Sequence, residues 1–590
     1  MTKIVSNSKQ YYLIISVIGI LVSIFISYNM RWLGDDIFIA LRYVKNFNAG
    51  NGLVYNVGER VEGYTDFLWL ILISVFTYFK CDAAKTSEVL GILFSTGTLI
   101  IFSVIEYKIS LSKNKFIIPF VTLALVLNYD YYVWATSGLE VSFVTFLLSA
   151  AFYIYFFKEL PANKRLVFTG LFICLGLLTR PDVMIILISA NLFLFIGSLL
   201  KRERFIRIIK IHSLFNLAIL AIYFPYFLWR YNYYGFIFPN TYYDKLGNES
   251  AFAKGFYYIW LYFKCHFTSF LILIPFFSFF PFIIKNGFKK VLLQKKFIPL
   301  ITAISFVFIY LIVFVAKVGG DFMFARFIIP CVPFIYFIII YFLTLIDVKH
   351  LNMVLLCILS LCIIESVIRV NLFVETSENG KERAIEQGGI ADERYVYLHL
   401  VNAEDETNMG KELNECLKGI NFKAMVMGAQ ARFAYYADFS YSQEYYGLTD
   451  TFIAHSEIKE RGRIGHEKHA TIEYLAAKGI HFAFNAGALK DDEYRLATIQ
   501  LPSRIINIEI ITYDNEIIDK VVTKLGKKFQ YVNFPDYLDS YINSILPTIK
   551  SYDELDNDYK KFYSYYFKNN DDKKREDIIL IALKKLKWNG

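Results

Sequence analysis

The seven cysteines in this 590-residue chain include no Cys-x-x-Cys pair, so neither a disulfide framework nor a cysteine-built zinc site is supported. Cys81, Cys174, Cys265, Cys331, Cys357 and Cys362 lie in or beside apolar runs, and only Cys416 falls in the later part. No basic stripe interleaved with aromatic residues runs through the chain, so nothing indicates a nucleic acid partner. The formal net charge of +9 comes from a few short loops crowded with Lys and Arg. Gly465-His466-Glu467-Lys468-His469 lacks the i,i+4 histidines of a helical zinc protease and reads by default as the start of a surface helix. The first apolar run, residues 11–29, has no small-residue cleavage site and is followed by Asn29-Met30-Arg31-Trp32. It is a retained span, not a signal peptide.

Apolar residues are abundant: 56% of the chain is hydrophobic, against about 45–50% in an ordinary soluble protein. Apolar runs fill Tyr11–Val370, whereas the sequence after Asn371 reads as a globular domain. The expected organisation is therefore a polytopic α-helical membrane module, residues 1–370, followed by a soluble extracytoplasmic α/β domain, residues 371–590. Because a spanning helix needs about 20 apolar residues, the candidate spans lie near 11–29, 67–79, 87–106, 116–133, 141–157 and 166–179. Six more lie near 183–200, 211–229, 268–285, 297–316, 327–346 and 351–370.

Basic loops at Lys158–Arg165, Lys201–Lys210, Lys285–Lys296 and Asp347–His350 alternate with loops rich in Asp, Glu, Tyr, Asn and Gly at 128–140, 179–182, 230–255 and 317–326. The positive-inside rule puts the basic set in the cytoplasm and the other set outside, with residues 371–590. One region resists this scheme. Three full spans between 67 and 127 would bring 128–140 back inside, so one stretch must be re-entrant or two half-spans, and the total is 11 or 13.

Asp35 and Asp36 follow the first span on the outer side. Ile37, Ala40, Leu41, Val44 and Phe47 then recur at helical spacing, which predicts an amphipathic helix on the membrane with Arg42, Lys45 and Asn46 on its wet face. Gly50, Asn51 and Gly52 end it, and Leu53–Thr65 is turn-rich. Two adjacent carboxylates repel each other unless a cation, a basic residue or a shared proton intervenes. The ordinary explanation of the pair is a solvated helix N-cap.

The surrounding strings are DDIFIALRYVKNF and GNGLVYNVGERVEGYTDFLW, then TSGLE at 136–140, TRPD at 179–182, PNTYYDK at 239–245 and VGGDFMFARFIIP at 318–330. GLTD at 447–450 and RGRIGHEKHATIEYL at 461–475 continue the series. Together these resemble the GT-C glycosyltransferases, and more narrowly the mycobacterial-type arabinofuranosyltransferases that add terminal residues to arabinan. Asp66 stands where such enzymes usually carry Asn, and residues 500–590 match nothing in the family.

The resemblance implies a GT-C-like fold of about 11–13 transmembrane helices in a bacterial inner membrane. It also implies transfer of a sugar, possibly a pentofuranose, from a polyprenyl-phosphate donor to an envelope glycan or glycolipid. A phosphate leaving group needs no general acid, only a base for the acceptor hydroxyl and positive charge for the departing anion; a single base gives inversion. Asp35 or Asp36 is the expected base, with Asp36 favoured at the helix start. Arg180, Lys245 and Arg326 are the expected phosphate ligands. Glu62 and Asp321 would position sugar hydroxyls or share a divalent cation (Mg, Mn or Ca) with the Asp pair. Tyr64, Glu140, Asn240, Tyr243, His466 and Lys468 complete the expected substrate-binding set.

Simpler roles stand beside these: Arg180 snorkelling to headgroups, Glu140 capping the span at Val141, and the Tyr-rich segment 231–243 forming an aromatic belt. At the level of function, the alternatives are a lipid-linked sugar transporter or flippase and an inactive membrane scaffold. A transporter is expected to show Gly- or Pro-broken spans around a midplane site.

Overall fold

The computed structural model describes residues 2–113, 118–245, 251–287, 291, 294–376, 382–400, 403–426, 431–458, 465–484 and 492–589. Internal contacts divide the chain into two units. One contains Met1–Ile37, Tyr64–Ile237 and Gly247–Leu400; the other contains Phe38–Gly63, Phe238–Leu246 and Val401–Gly590.

The first unit is that of a polytopic α-helical membrane protein. Among the described residues seven helices are long and apolar enough to cross a bilayer: Lys9–Asn29, Ala83–Ser110, Ala162–Thr179, Val183–Leu200, Phe205–Tyr234, Ile298–Ala316 and Leu351–Phe373. Two bent pairs, Tyr129–Thr136 with Val141–Phe156 (111°) and Phe252–Cys265 with Phe267–Ser278 (105°), raise the number to nine. Phe67–Tyr78 and Ile329–Leu345 are apolar but shorter.

The run 116–133, expected as one span, is broken into Phe120–Val126 and Tyr129–Thr136. Pro119 offers no side-chain cap to the first piece, and buried Glu106 of the 83–113 helix accepts the Val121 N–H instead (3.0 Å). Asn128 caps the second piece by accepting from Tyr131 N (3.0 Å). This is a broken stretch of the kind that loop parity requires.

TSGLE forms the sharp turn between Tyr129–Thr136 and Val141–Phe156. Gly138 has φ +83° there, and an added Cβ would lie 2.7 Å from Leu33, so both backbone and space demand glycine. The turn is tied to two other motif strings: Gly34 N donates to Ser137 O and Trp69 Nε1 to Gly138 O, each at 3.0 Å. Strings far apart in sequence thus meet at one corner of this unit.

In the second unit, Phe38–Asn48 continues the helix that starts at Asp36. Its expected wet face is wet at Lys45, which is exposed and pairs with Asp438, but not at Arg42. Arg42 is buried, donating to Tyr55 O (2.9 Å), Asn56 Oδ1 (3.3 Å) and Phe439 O (2.9 Å), while Phe47 is exposed. A guanidinium that donates to three oxygens tolerates burial, and helical spacing announces none of those partners.

Beyond residue 400 the chain is α/β. A six-stranded sheet runs in the order 441–444, 423–426, 482–484, 505–510, 496–500, 529–531, with the first three strands parallel and the rest antiparallel. The expected strands 424–427, 481–484 and 505–511 fall on three of these, shifted by at most one residue; Met427 lies outside the described residues. Ala424, Phe482, Phe484, Ile508 and Ile510 pack with helical Leu413, Val521 and Phe534 as an apolar core.

Candidate functional site

The expected site residues fall into two groups, one in each unit. In the first unit, Asp35 is buried beside the helix start, and Asp36 begins the helix with 33% of its side chain exposed. Asp36 faces Arg326 at 3.4 Å, and Arg326 Nε lies 2.5 Å from Asp321 as an ion pair off the line of a good hydrogen bond. Both ends of this triad come from the loop 321–327 and the DD string. Arg180 forms the second knot: it donates to Glu140 (2.7 Å) and Asp182 (2.8 Å), and Tyr310 OH donates to the other Asp182 oxygen (2.5 Å).

Phe327 links the two knots. The Arg180 and Arg326 guanidinium carbons lie 5.3 and 5.1 Å from its ring centre, within cation–π range. Burial works against the charge on each arginine. Even so, Asp182, Tyr310 and Glu140 hold Arg180 firmly cationic, and Asp321, Asp36 and Glu140 do the same for Arg326.

Carboxyls outnumber guanidiniums here, and Asp66 shows the result: burial first, then repulsion from Glu140, pushes it up to about 7 despite Arg180. Neither simple role expected from sequence applies. Arg180 is buried and does not snorkel, and Glu140 sits at the N-cap position of the 141–156 helix without capping it. Tyr64, also buried, pairs its hydroxyl with that of Tyr234 (3.0 Å).

Residues that the sequence reading left without a role here are Asp66, Asp182, Tyr310 and Phe327. Asp182 and Phe327 lie inside the TRPD and VGGDFMFARFIIP strings, so their neighbourhood was visible. Tyr310 lies in an apolar run with no local signal. An apolar cavity of about 290 Å³ lies among the helices 141–156, 162–179, 183–200 and 298–309, lined by Ile186, Ala190, Phe193, Thr302, Phe306 and Ile309, among others.

In the second unit the motif strings converge differently. Asn240 Nδ2 donates to the carbonyls of Gly447 (2.8 Å) and Leu448 (2.9 Å), and its backbone N–H donates to Glu62 O (2.9 Å). Lys468 is buried and donates to Tyr243 O (2.9 Å) and Ala454 O (2.6 Å). The Tyr243 ring stacks on His455 (4.4 Å), and His466 meets Tyr446 edge-on (4.5 Å).

Lys245 is exposed, its aliphatic stem against Gly465. Gly63 allows a close approach in this unit, since a Cβ there would lie 2.8 Å from Thr449 Cγ2 and 3.0 Å from Leu448 O. Two buried carboxyls stand beside this framework. Asp244, with Oδ2 unpartnered, is pushed up to about 7, and Glu444, which accepts from Tyr446 N and Leu448 N, is pushed up to about 8, both chiefly by burial. Arg461–Ile464 of the RGRIGHEK string lie outside the described residues.

Among the described residues no three His, Cys, Asp or Glu side chains converge as a metal cage. Asp36 and Asp321 are both engaged with Arg326, so the side chains as placed do not fit the divalent cation expected from the Asp pair.

No protein-family model matches the chain. Over 252 residues, 40% of the chain, it is 27% identical to a terminal β-(1→2)-arabinofuranosyltransferase of Mycobacterium tuberculosis, and the match covers 38% of that protein. A protein of the same name from Corynebacterium glutamicum is 40% identical over 74 residues, 12% of this chain and 10% of that one. The chain thus spans well under half the length of these curated relatives. Among solved structures, ArnT from Cupriavidus metallidurans bound to undecaprenyl phosphate gives a TM-score of 0.45 at 11% identity, covering 73% of this chain and 85% of that one. The similarity to terminal arabinofuranosyltransferases seen in the motif strings is met again in the two curated relatives.

Proposed function

We propose that this chain is an inverting glycosyltransferase. It moves a sugar from a polyprenyl-phosphate donor to an envelope glycan or glycolipid on the outer face of a bacterial inner membrane, with residues 371–590 on that same side. The observation that carries this reading is the pair of guanidiniums set against Phe327, each held by carboxylates and not by main chain. Carboxylates are exchangeable partners: a donor phosphodiester offers Arg326 and Arg180 a like pair of oxygens and a like charge, and the departing phosphate gains more. The apolar cavity among the helices 141–156, 162–179, 183–200 and 298–309 suits part of an isoprenoid tail.

The chemistry follows from one exchange. When the donor phosphate takes Arg326, Asp36 loses its long contact with that guanidinium and is left to accept a proton from the acceptor hydroxyl. The hydroxyl oxygen attacks the anomeric carbon from the face opposite the phosphate, the C–O bond to phosphate breaks, and polyprenyl phosphate leaves as the anion. Arg180 and Arg326 stabilise the charge that develops on it. The configuration inverts because there is a single displacement. The sugar is a pentofuranose in this reading, and a hexose in the nearest variant of it.

Isolated membranes given radiolabelled polyprenyl-phosphate pentose and hexose donors test the assignment. Transfer of label to an endogenous glycan supports it, and the preferred donor names the sugar. A second reading, a lipid flippase, is favoured by the two sharply bent helix pairs. Lipid transport by the purified protein in vesicles, with no sugar transfer, would replace the first reading with this one.

A further inference from the structure

Away from the two arginine knots, the first unit buries a second set of charges. Arg369, near the end of the Leu351–Phe373 span, is 1% exposed. Its Nε donates to both oxygens of Asp130 (2.9 and 3.1 Å), one terminal nitrogen donates to Asp130 Oδ1 (2.5 Å), and the other is paired with Asp392. His266 Nε2 holds Asp130 from the opposite side (2.8 Å), and the guanidinium lies against the rings of Tyr129, Phe324 and Phe373 at 4.6, 5.1 and 5.0 Å. A buried ion network is weak evidence of stability, because desolvation opposes it. Ionised groups inside a membrane module call for a functional explanation.

The explanation lies in what each carboxylate carries. Asp130 is one helical turn from Trp134, whose indole Nε1 donates to Phe324 O (2.8 Å). Asp392 follows Ala391, whose N–H and carbonyl pair with Phe322 O (2.8 Å) and Phe324 N (3.0 Å). Both handles grip the same loop, the one that bears Asp321, Arg326 and Phe327, while Tyr258 OH holds Met323 O (2.9 Å). The loop also contains Ala325 at φ +64°, a conformation that an alanine keeps only when its surroundings enforce it.

We propose that Arg369 is a positioning residue for the reaction: its fork fixes Asp130 and Asp392 at one spacing, and through Trp134 and Ala391 that spacing places Arg326. It touches no substrate. A lysine supplies the charge but not the planar fork, so Arg369→Lys keeps the net charge and loses the spacing. The proposal rests on the reading of Arg326 as a phosphate ligand, and its test separates the two.

The full-length protein is labelled with 5-fluorotryptophan and reconstituted in nanodiscs. The Trp134 fluorine resonance, assigned with Trp134→Phe, reports on the loop, and binding of undecaprenyl phosphate is titrated in parallel. Arg369→Lys is expected to move that resonance and to weaken binding about tenfold, and an added Arg326→Lys is expected to weaken binding little further. Asp392→Asn is a second variant, should Arg369→Lys fail to fold, and is expected to move the same resonance. An unmoved Trp134 resonance in a folded variant would overturn the proposal, as would fully additive losses in the double variant. If the unaltered protein binds no undecaprenyl phosphate, the phosphate reading fails, and the fluorine shift still decides whether Arg369 positions the loop.

Discussion

The two groups of motif residues differ in what their side chains hold. In the first unit Arg180, Arg326, Asp36, Glu140 and Asp321 hold one another. In the second, Asn240 and Lys468 hold main-chain carbonyls. A carboxylate can be traded for a phosphate of like charge and shape, whereas a carbonyl has nowhere else to go. Pairing with another charged side chain therefore marks a group that a ligand can recruit, and pairing with main chain marks one that builds. Family-like strings contain both kinds, and only their partners tell them apart.

This contrast can be broken most forcefully at Asp36. Asp36→Asn is expected to lower sugar transfer by about 10³-fold while binding of undecaprenyl phosphate persists, as read by label transfer and by titration in nanodiscs. Loss of binding together with activity would move Asp36 from base to ligand. A smaller effect is expected at the guanidiniums: Arg326→Lys and Arg180→Lys should each raise the donor KM about tenfold, since a point charge replaces a fork. An unchanged donor KM in both would remove phosphate from this site.

The clip residues should behave otherwise. Lys468→Met is expected to destabilise the protein by about 1–3 kcal/mol, by stranding the Tyr243 and Ala454 carbonyls, with kcat per folded molecule nearly unchanged. A loss of kcat without a lower melting temperature would place Lys468 with the recruitable group after all. The smallest effect concerns pH. Glu444 and Asp244 bind a proton more tightly folded than unfolded, so stability is greatest below pH 4 as far as these groups contribute, and falls as pH rises through about 7 and 8. Glu444→Gln should flatten the fall in melting temperature between about pH 5 and 8, by about 2–4 °C for each kcal/mol removed.

Much of the fold was legible because lipid and water impose long-wavelength patterns: apolar runs for spans and alternation for the later sheet. The broken run 116–133 was harder. Pro119 and Asn128 mark its breaks locally, but the carboxylate that completes the first half-helix is Glu106, and only three-dimensional structure brings it there. The site was legible as strings and not as roles. Asp36, Arg180 and Arg326 were candidates from their context, yet whether Glu140 caps a helix or binds Arg180 depends on a partner 40 residues away. Tyr310 had no signal, since a tyrosine in an apolar run looks alike whether or not it meets a buried aspartate. Arg42 erred in the opposite direction, because helical spacing placed it on the wet face while Phe439 O, 397 residues on, buries it.

The bent pair at residues 129–156 also bears on how the chain is made. Tyr129–Thr136 is too short to enter a bilayer alone, and it carries Asp130, whose guanidinium partner is 239 residues further along. At about 5–20 residues per second, ribosomes take roughly 10–50 s to reach Arg369 after Asp130 has emerged. For that interval Asp130 is without its guanidinium partner. The pair forms only once the Leu351–Phe373 helix has been made, so the charge that anchors Asp130, one turn from the Trp134 contact with the loop carrying Arg326, arrives late in synthesis.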